Sequence, residues 1–301
     1  MEKEIRLIRF DWAIKNILRD KANFDVLEGF LGDLLERKIT ILEILESEGN
    51  QESESDKFNR VDILVKEESG EKIIIEIQNN REVHYLERLL YGSSKVITES
   101  MKRGGHYREV QKVISVSIVY FHMGENPDDY LYYGKTDFRG VHSGSKLILK
   151  RKEEKVYKEV EPYNIFPEYW LIEVESFQDI INDTLDEWIY FFKNETIRED
   201  CKSESLKKAK EKLDFLKLSK EEQSRYTRYL ENLAIEKDVI LSAREEGREE
   251  GREEGREEGA DSREEELVAA MLKNKLSPGD ISRYTGIAIE RILEIKKKHN
   301  L

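Results

Sequence analysis

Apolar residues recur at spacings of three and four from Phe10 to about Leu35: Phe10, Ile14, Ile17, Leu18, Phe24, Leu27, Phe30, Leu31, Leu34 and Leu35. That period predicts helix, with Gly29 and Gly32 allowing either a break or a tight packing point. Ile39, Ile41, Ile44 and Leu45 read as a strand or a short apolar element. Two runs rich in β-branched residues, Val61–Lys66 and Lys72–Gln78, predict strands. From Glu82 to about Arg103 the helical period returns, with Leu86, Leu89, Leu90, Val96 and Ile97 as its apolar stripe and Gly104-Gly105 as its end. Val113–Phe121 alternates and predicts a third strand, and further strands are expected around Leu147–Leu149 and Tyr169–Val174. From Ser176 the period switches again, placing Phe177, Ile180, Ile181, Leu185, Trp188, Phe191 and Phe192 on one helical face. More polar helical patterning continues through 203–242.

A helix, then strands, then helices indicates an α/β core of about 200 residues with a helical C-terminal tail. Residues 244–259 are four tandem copies of Arg-Glu-Glu-Gly. Four residues per repeat against 3.6 per turn moves the glycines about 40° around a helix with each copy. No constant apolar face forms, so the segment reads as a solvated spacer and not as a coiled-coil seam. Leu267–Leu276, Asp280–Thr285 and Ile289–Lys298 predict three short helices, separated by Ser277-Pro278 and Gly286. The expected layout is a core over 1–200, a helical extension over 201–243, the repeat spacer over 244–263 and a small helical segment over 264–301.

Charge changes this picture less than its total suggests. The 301 residues hold 51 Lys+Arg against 64 Asp+Glu, a net charge of -13. Residues 244–266 carry 12 acids and 5 bases, and residues 46–56 carry five acids and no base, so these two segments hold 12 of the 13 surplus charges. The rest is close to neutral, and acidity alone does not exclude a nucleic-acid partner. It does lack a strongly basic footprint, so any DNA affinity is expected to be weak and salt-sensitive. One cysteine, Cys201, cannot form an internal disulfide, which suits an intracellular, cytoplasmic protein. No apolar h-region opens the chain and no stretch approaches the roughly 18 apolar residues of a membrane span, so neither secretion nor a membrane partner is expected.

The chemistry gathers around one predicted hairpin. If Glu68-Ser69-Gly70 is a three-residue loop, Gly70 takes the left-handed position such loops need, and Glu67 opposes Glu71. Followed outward, this register sets Asp62 opposite Glu76, on one face with Gln78 and with Cβ atoms roughly 4.5–5.5 Å apart. Two carboxylates facing each other among apolar residues are costly unless a positive charge lies between them. A divalent cation held by Asp62 and Glu76, with the carbonyl of Ile77 and waters, would suit Mg²⁺. An exposed hairpin face with solvated acids is the bland alternative. The five histidines show no HxH or HxxxH pairing, so a zinc site is not supported, and no GxxxxGK[ST] phosphate loop is present.

Asp62…Glu76-Ile77-Gln78 resembles the D…(E/D)xK motif of the PD-(D/E)XK nucleases, with Gln where Lys is usual. The surroundings resemble one branch, the Rpn family of recombination-promoting nucleases and transposases. The matching features are Asp11-Trp12-Ala13-Ile14-Lys15, Arg60-Val61-Asp62, Glu76-Ile77-Gln78, Arg88 and Tyr91, Tyr107 before the third strand, the Trp188 helix and the Glu/Gly repeats before a small helical C-terminus. The resemblance implies a PD-(D/E)XK restriction-endonuclease-like core, a mixed sheet flanked by helices, and a metal-dependent DNA endonuclease. Asp62 and Glu76 would hold the cation, Mg²⁺ or another divalent ion. Gln78 could orient water but brings no charge, and Lys15 is the candidate to supply it. Asp11 is either an accessory metal or water ligand or an N-cap. Arg88 either contacts phosphate or braces the strands.

The C-terminal segment resembles a helix-turn-helix, with Ile281, Ile287 and Ile292 packing two helices and Gly286 permitting the turn. Arg291, Lys296, Lys297 and Lys298 would contact DNA phosphate, or the segment is a homo-oligomerising unit whose basic end suits a helix C-terminus. The leading expectation is a Mg²⁺-dependent DNA endonuclease. The alternative, kept open by Gln78, is a non-catalytic DNA-binding or assembly protein with the nuclease fold.

Overall fold

The first helical run folds as two helices, α1 (Phe10–Asn16) and α2 (Phe24–Leu35). In this computed structural model, which describes residues 7–45, 62–101, 106–124, 128–153 and 156–301, the break falls at 17–23 and not at the glycines. There the Asp20 carboxylate accepts the Ala22 amide hydrogen at 2.9 Å and opens a short 3₁₀ turn. Local bonds of this kind compete with helix. Gly29 is the packing point instead, since a Cβ there would lie 2.3 Å from the Ser205 side chain.

Among the described residues, β1 (Ile41–Leu45), β2 (Ile63–Glu67), β3 (Lys72–Gln78), β4 (Val113–Val119), β5 (Leu131–Lys135) and β8 (Glu168–Glu173) form one sheet, in the order β1-β2-β3-β4-β8-β5. β3, β4 and β8 run parallel, and the other neighbours are antiparallel. A separate two-stranded ribbon joins β6 (Leu149–Glu153) to β7 (Val156–Val160). β5 and β7 were not foreseen, because Leu131-Tyr132-Tyr133-Gly134-Lys135 and Val156-Tyr157-Lys158-Glu159-Val160 are short and mostly polar or aromatic. Every residue of β4 is buried, as a central parallel strand covered on both faces requires. Val61, the acidic stretch 46–56 and Gly104-Gly105 lie outside the described residues.

Helix α3 (Tyr85–Ser100) makes the crossover from β3 to β4 that a parallel pair needs. Its buried face is Tyr85, Leu89, Gly92, Ser93 and Val96, whereas Leu86 and Leu90 of the expected stripe are 61% and 60% exposed. Leu89 and Val96 of the expected stripe are on the buried face, and the small Gly92 and Ser93 share it. Helix α4 (Thr184–Asn194) starts at an Asp183 capping box, so Ile180 stays outside it and exposed.

The core beside α1 is aromatic. Phe10 stacks on Phe192 at 4.4 Å between centroids and meets Phe30, Trp188 and Phe191 edge-on. Asp33 of α2 accepts from Trp188 Nε1 at 2.8 Å, Thr184 Oγ1 at 2.9 Å and the hydroxyls of Ser203 and Ser205, both at 3.1 Å. These bonds tie α2 to α4 and to α5 (Glu204–Lys212). Phe10 therefore anchors the helix that carries Asp11 and Lys15. Phe10→Ala should cost about 3–5 kcal/mol of stability, read as a lower urea midpoint with an unchanged m-value.

The chain divides into two compact units, up to Tyr226 and from Thr227 on. The second contains most of α6 (Lys220–Lys273), then α7 (Pro278–Thr285) and α8 (Ile289–Lys298). The four repeats are helical throughout and continue without interruption to Lys273, so the helix expected over Leu267–Leu276 is the end of α6 and not a separate element. Glu245 and Arg248, and each equivalent pair, stand three apart, a spacing that supports helix against a cost of about 1 kcal/mol per glycine. Val268, Ile281, Ile292 and Ile295 form this unit's small core, with Ile287 packed against it, and Gly286 makes the turn at φ 77°. No helix among the described residues is long and apolar enough to cross a membrane.

Candidate active site

The expected hairpin register is the one observed. Ile63 pairs with Ile75, Leu64 with Ile74, Val65 with Ile73 and Lys66 with Lys72. Gly70 takes φ 88° and its amide donates to the Glu67 carbonyl at 2.9 Å, closing the loop. One pair beyond the ladder, Asp62 comes level with Glu76. There the Asp62 side chain replaces a backbone partner: its Oδ2 accepts the Ile77 N–H at 2.7 Å. Its Oδ1 faces Lys15 Nζ at 3.2 Å, and Arg19 donates to its carbonyl oxygen at 2.6 Å. α1 and the turn after it thus bring two cations to Asp62, across more than forty residues of chain.

Glu76 is 5% exposed. Burial in the sheet pushes its carboxyl up to about 7; the Arg88 guanidinium works against this and the Asp62 charge adds to it. Arg88 Nη2 stands 3.5 Å from Glu76 Oε1, and its Nη1 donates to Glu82. Gln78 Nε2 also donates to Glu82 Oε1, at 3.0 Å. Asp62, Glu76 and Gln78 therefore form one polar row, with Lys15 at one end and Arg88 and Glu82 at the other. Hard oxygen donors in this row fit a small divalent cation that keeps several waters. Among the described residues no group of three or more His, Cys, Asp or Glu is arranged to hold a metal.

Asp11 is not an N-cap; that place belongs to Arg9, which makes no side-chain cap. Asp11 is 1% exposed, and its carboxylate accepts from Arg9 Nη2 at 3.0 Å, Asn79 Nδ2 at 3.2 Å and the Trp12 amide at 2.7 Å. Its charge is spent on fastening α1 to the end of β3. In the C-terminal unit, Arg291 lies within 4 Å of Asp261, Glu264, Glu265 and Glu294, and Lys298 pairs with Glu265 at 2.8 Å. Those two bases brace α8 against α6, while Lys296 and Lys297 continue the basic end of α8. Glu82, Arg19, Arg9 and Asn79 were not singled out from the sequence. Asn79 directly follows the motif and Glu82 lies four residues past Gln78, but nothing in their spacing shows which cations they meet.

The model of one family, described as PD-(D/E)XK nuclease family transposase, matches residues 8–243, more than half of the chain. That span holds every residue of the polar row and the eight strands found among the described residues. A search of the curated proteins and one of the solved structures find no match.

Proposed function

The chain belongs to the PD-(D/E)XK nuclease family transposases, and from that premise we propose that it is a metal-dependent DNA endonuclease with its cation at Asp62 and Glu76. The observation that carries this reading is the buried Glu76 carboxyl level with the partly exposed Asp62: Glu76, lifted to about 7, is a group that a dication would return to its charged form. The Ile77 carbonyl is the proposed further donor, and Mg²⁺ is the proposed ion because its usual protein set is one or two carboxylates with waters and substrate phosphate. When bound, such a cation polarises the scissile phosphate and lowers the pKa of an attacking water.

The chain's own residues then divide the remaining work. Gln78, held by Glu82, orients the water. Lys15 supplies the positive charge that the usual motif lysine would bring. Asp11 acts as a positioning residue, fastening α1, and with it Lys15, to the end of β3 through Asn79. Lys296 and Lys297 contact backbone phosphate, adding register and no sequence preference. Glutamine at position 78 favours one rival reading, a DNA-binding or assembly protein without catalysis.

Supercoiled-plasmid nicking separates the two. Nicking with Mg²⁺ that disappears with EDTA is expected. Nicking that survives EDTA would overturn the proposal, and a mobility shift without nicking under any divalent ion would favour the rival.

A further inference from the structure

We propose that Lys15 and Arg88 are exchangeable counter-ions, seated on the two carboxylates while no metal is bound and transferred to DNA phosphate when one binds. The inference rests on the reading of Asp62 and Glu76 as metal ligands, and it makes these two side chains the link between metal binding and DNA binding.

Each carboxylate faces one cation, and each contact is loose. Lys15 Nζ lies 3.2 Å from Asp62 Oδ1, and Arg88 Nη2 lies 3.5 Å from Glu76 Oε1. Neither is the short bidentate fork of a permanent arginine–carboxylate pair. Lys15 has a side chain 45% exposed, so its ammonium can leave Asp62 without crossing packed protein. Arg88 is tethered by its other nitrogen to Glu82, which is 37% exposed and also takes Gln78. The guanidinium can therefore release Glu76 and still stay beside the site.

Charge decides the direction. With every group charged, the carboxylates of Asp62, Glu76 and Glu82 balance Lys15, Arg19 and Arg88. A dication added to that set leaves an excess of two positive charges within a few ångströms, a strongly repulsive arrangement at a half-buried site. A phosphate diester is the anion that relieves it. Coupling of this kind is reciprocal: the factor by which metal strengthens DNA binding equals the factor by which DNA strengthens metal binding.

The test uses the full chain. Mn²⁺ affinity without DNA is measured by electron paramagnetic resonance for the unsubstituted protein, Lys15→Ala, Arg88→Ala and, as a control for the general field, the exposed Arg81→Ala. A short labelled duplex is then titrated by anisotropy with and without Ca²⁺. Both Lys15→Ala and Arg88→Ala are expected to bind Mn²⁺ roughly 3–10-fold more tightly, the size of a modest coupling. Their gain in duplex affinity from Ca²⁺ should shrink by a similar factor, while Arg81→Ala stays within about twofold of the unsubstituted protein on both readouts. Unchanged or weaker Mn²⁺ binding in Lys15→Ala and Arg88→Ala overturns the exchange, as does equal tightening in Arg81→Ala. An unsubstituted protein that binds Mn²⁺ nowhere overturns the metal site itself, and the exchange with it.

Discussion

Asp62→Asn and Glu76→Gln are each expected to lower metal-dependent nicking by on the order of 10³-fold or more, about 4 kcal/mol of transition-state stabilisation. A neutral amide holds a dication far more weakly than a carboxylate, and with two carboxylates in the donor set each supplies half of the negative charge. The amides are the informative replacements. Asp62 Oδ2 accepts the Ile77 N–H at 2.7 Å, and asparagine can keep that bond with its own carbonyl oxygen. Alanine would leave the amide unpaired at the end of β3, at a cost of about 1–3 kcal/mol, and would confuse lost chemistry with lost structure. Single-turnover plasmid nicking reads the effect, with far-UV circular dichroism showing the fold intact. Either amide variant keeping a tenth of the activity would refute the site.

The second large effect is one of stability, and Glu76 again causes it. Burial pushes its carboxyl in the folded chain up from the ordinary 4.5 to about 7. The folded state thus holds a proton that the unfolded chain releases. Stability from this group is complete below pH 4.5 and is lost as pH rises toward and through 7. Between pH 5 and pH 8 the metal-free protein should lose about 2–3 kcal/mol more than Glu76→Gln, which has no proton to lose. Urea midpoints of the two proteins across that range measure the difference directly. A divalent cation should narrow it by restoring a partner to the ionised carboxylate. Parallel pH profiles for the two proteins would show that Glu76 is not the buried acid the fold makes it.

The two expectations pull in opposite directions at one atom group. Glu76→Gln should make the metal-free protein sturdier at pH 8 and abolish the proposed nicking. Such a trade is expected where a site stores unfavourable burial for use in binding.

Much of the candidate site was legible because it is local. Gly70 sets the loop, the loop sets the register, and the two-residue period of the strands sets the face. Asp62, Glu76 and Gln78 follow from those three facts. The α7–α8 turn was legible in the same way, through Gly286 and the isoleucine spacing.

What escaped depends on contacts between distant parts of the chain. Lys15 was named only through the family resemblance, and its partner was not: it reaches Asp62 from 47 positions away in sequence, on a helix whose placement is set by the Phe10 cluster. Asp11 offered two readings, ligand and N-cap. The fold gave its carboxylate to Arg9 and Asn79, partners that no spacing announces. Helix α3 buries Gly92 and Ser93 beside Leu89 and Val96 and leaves Leu86 and Leu90 exposed, a rotation that the apolar stripe alone does not give. The sequence by itself determined which carboxylates face each other, because strand period and turn geometry are properties of a few adjacent residues. Only the tertiary structure decided which cations attend them and how deeply Glu76 is buried, because those depend on how helices far along the chain pack against that sheet.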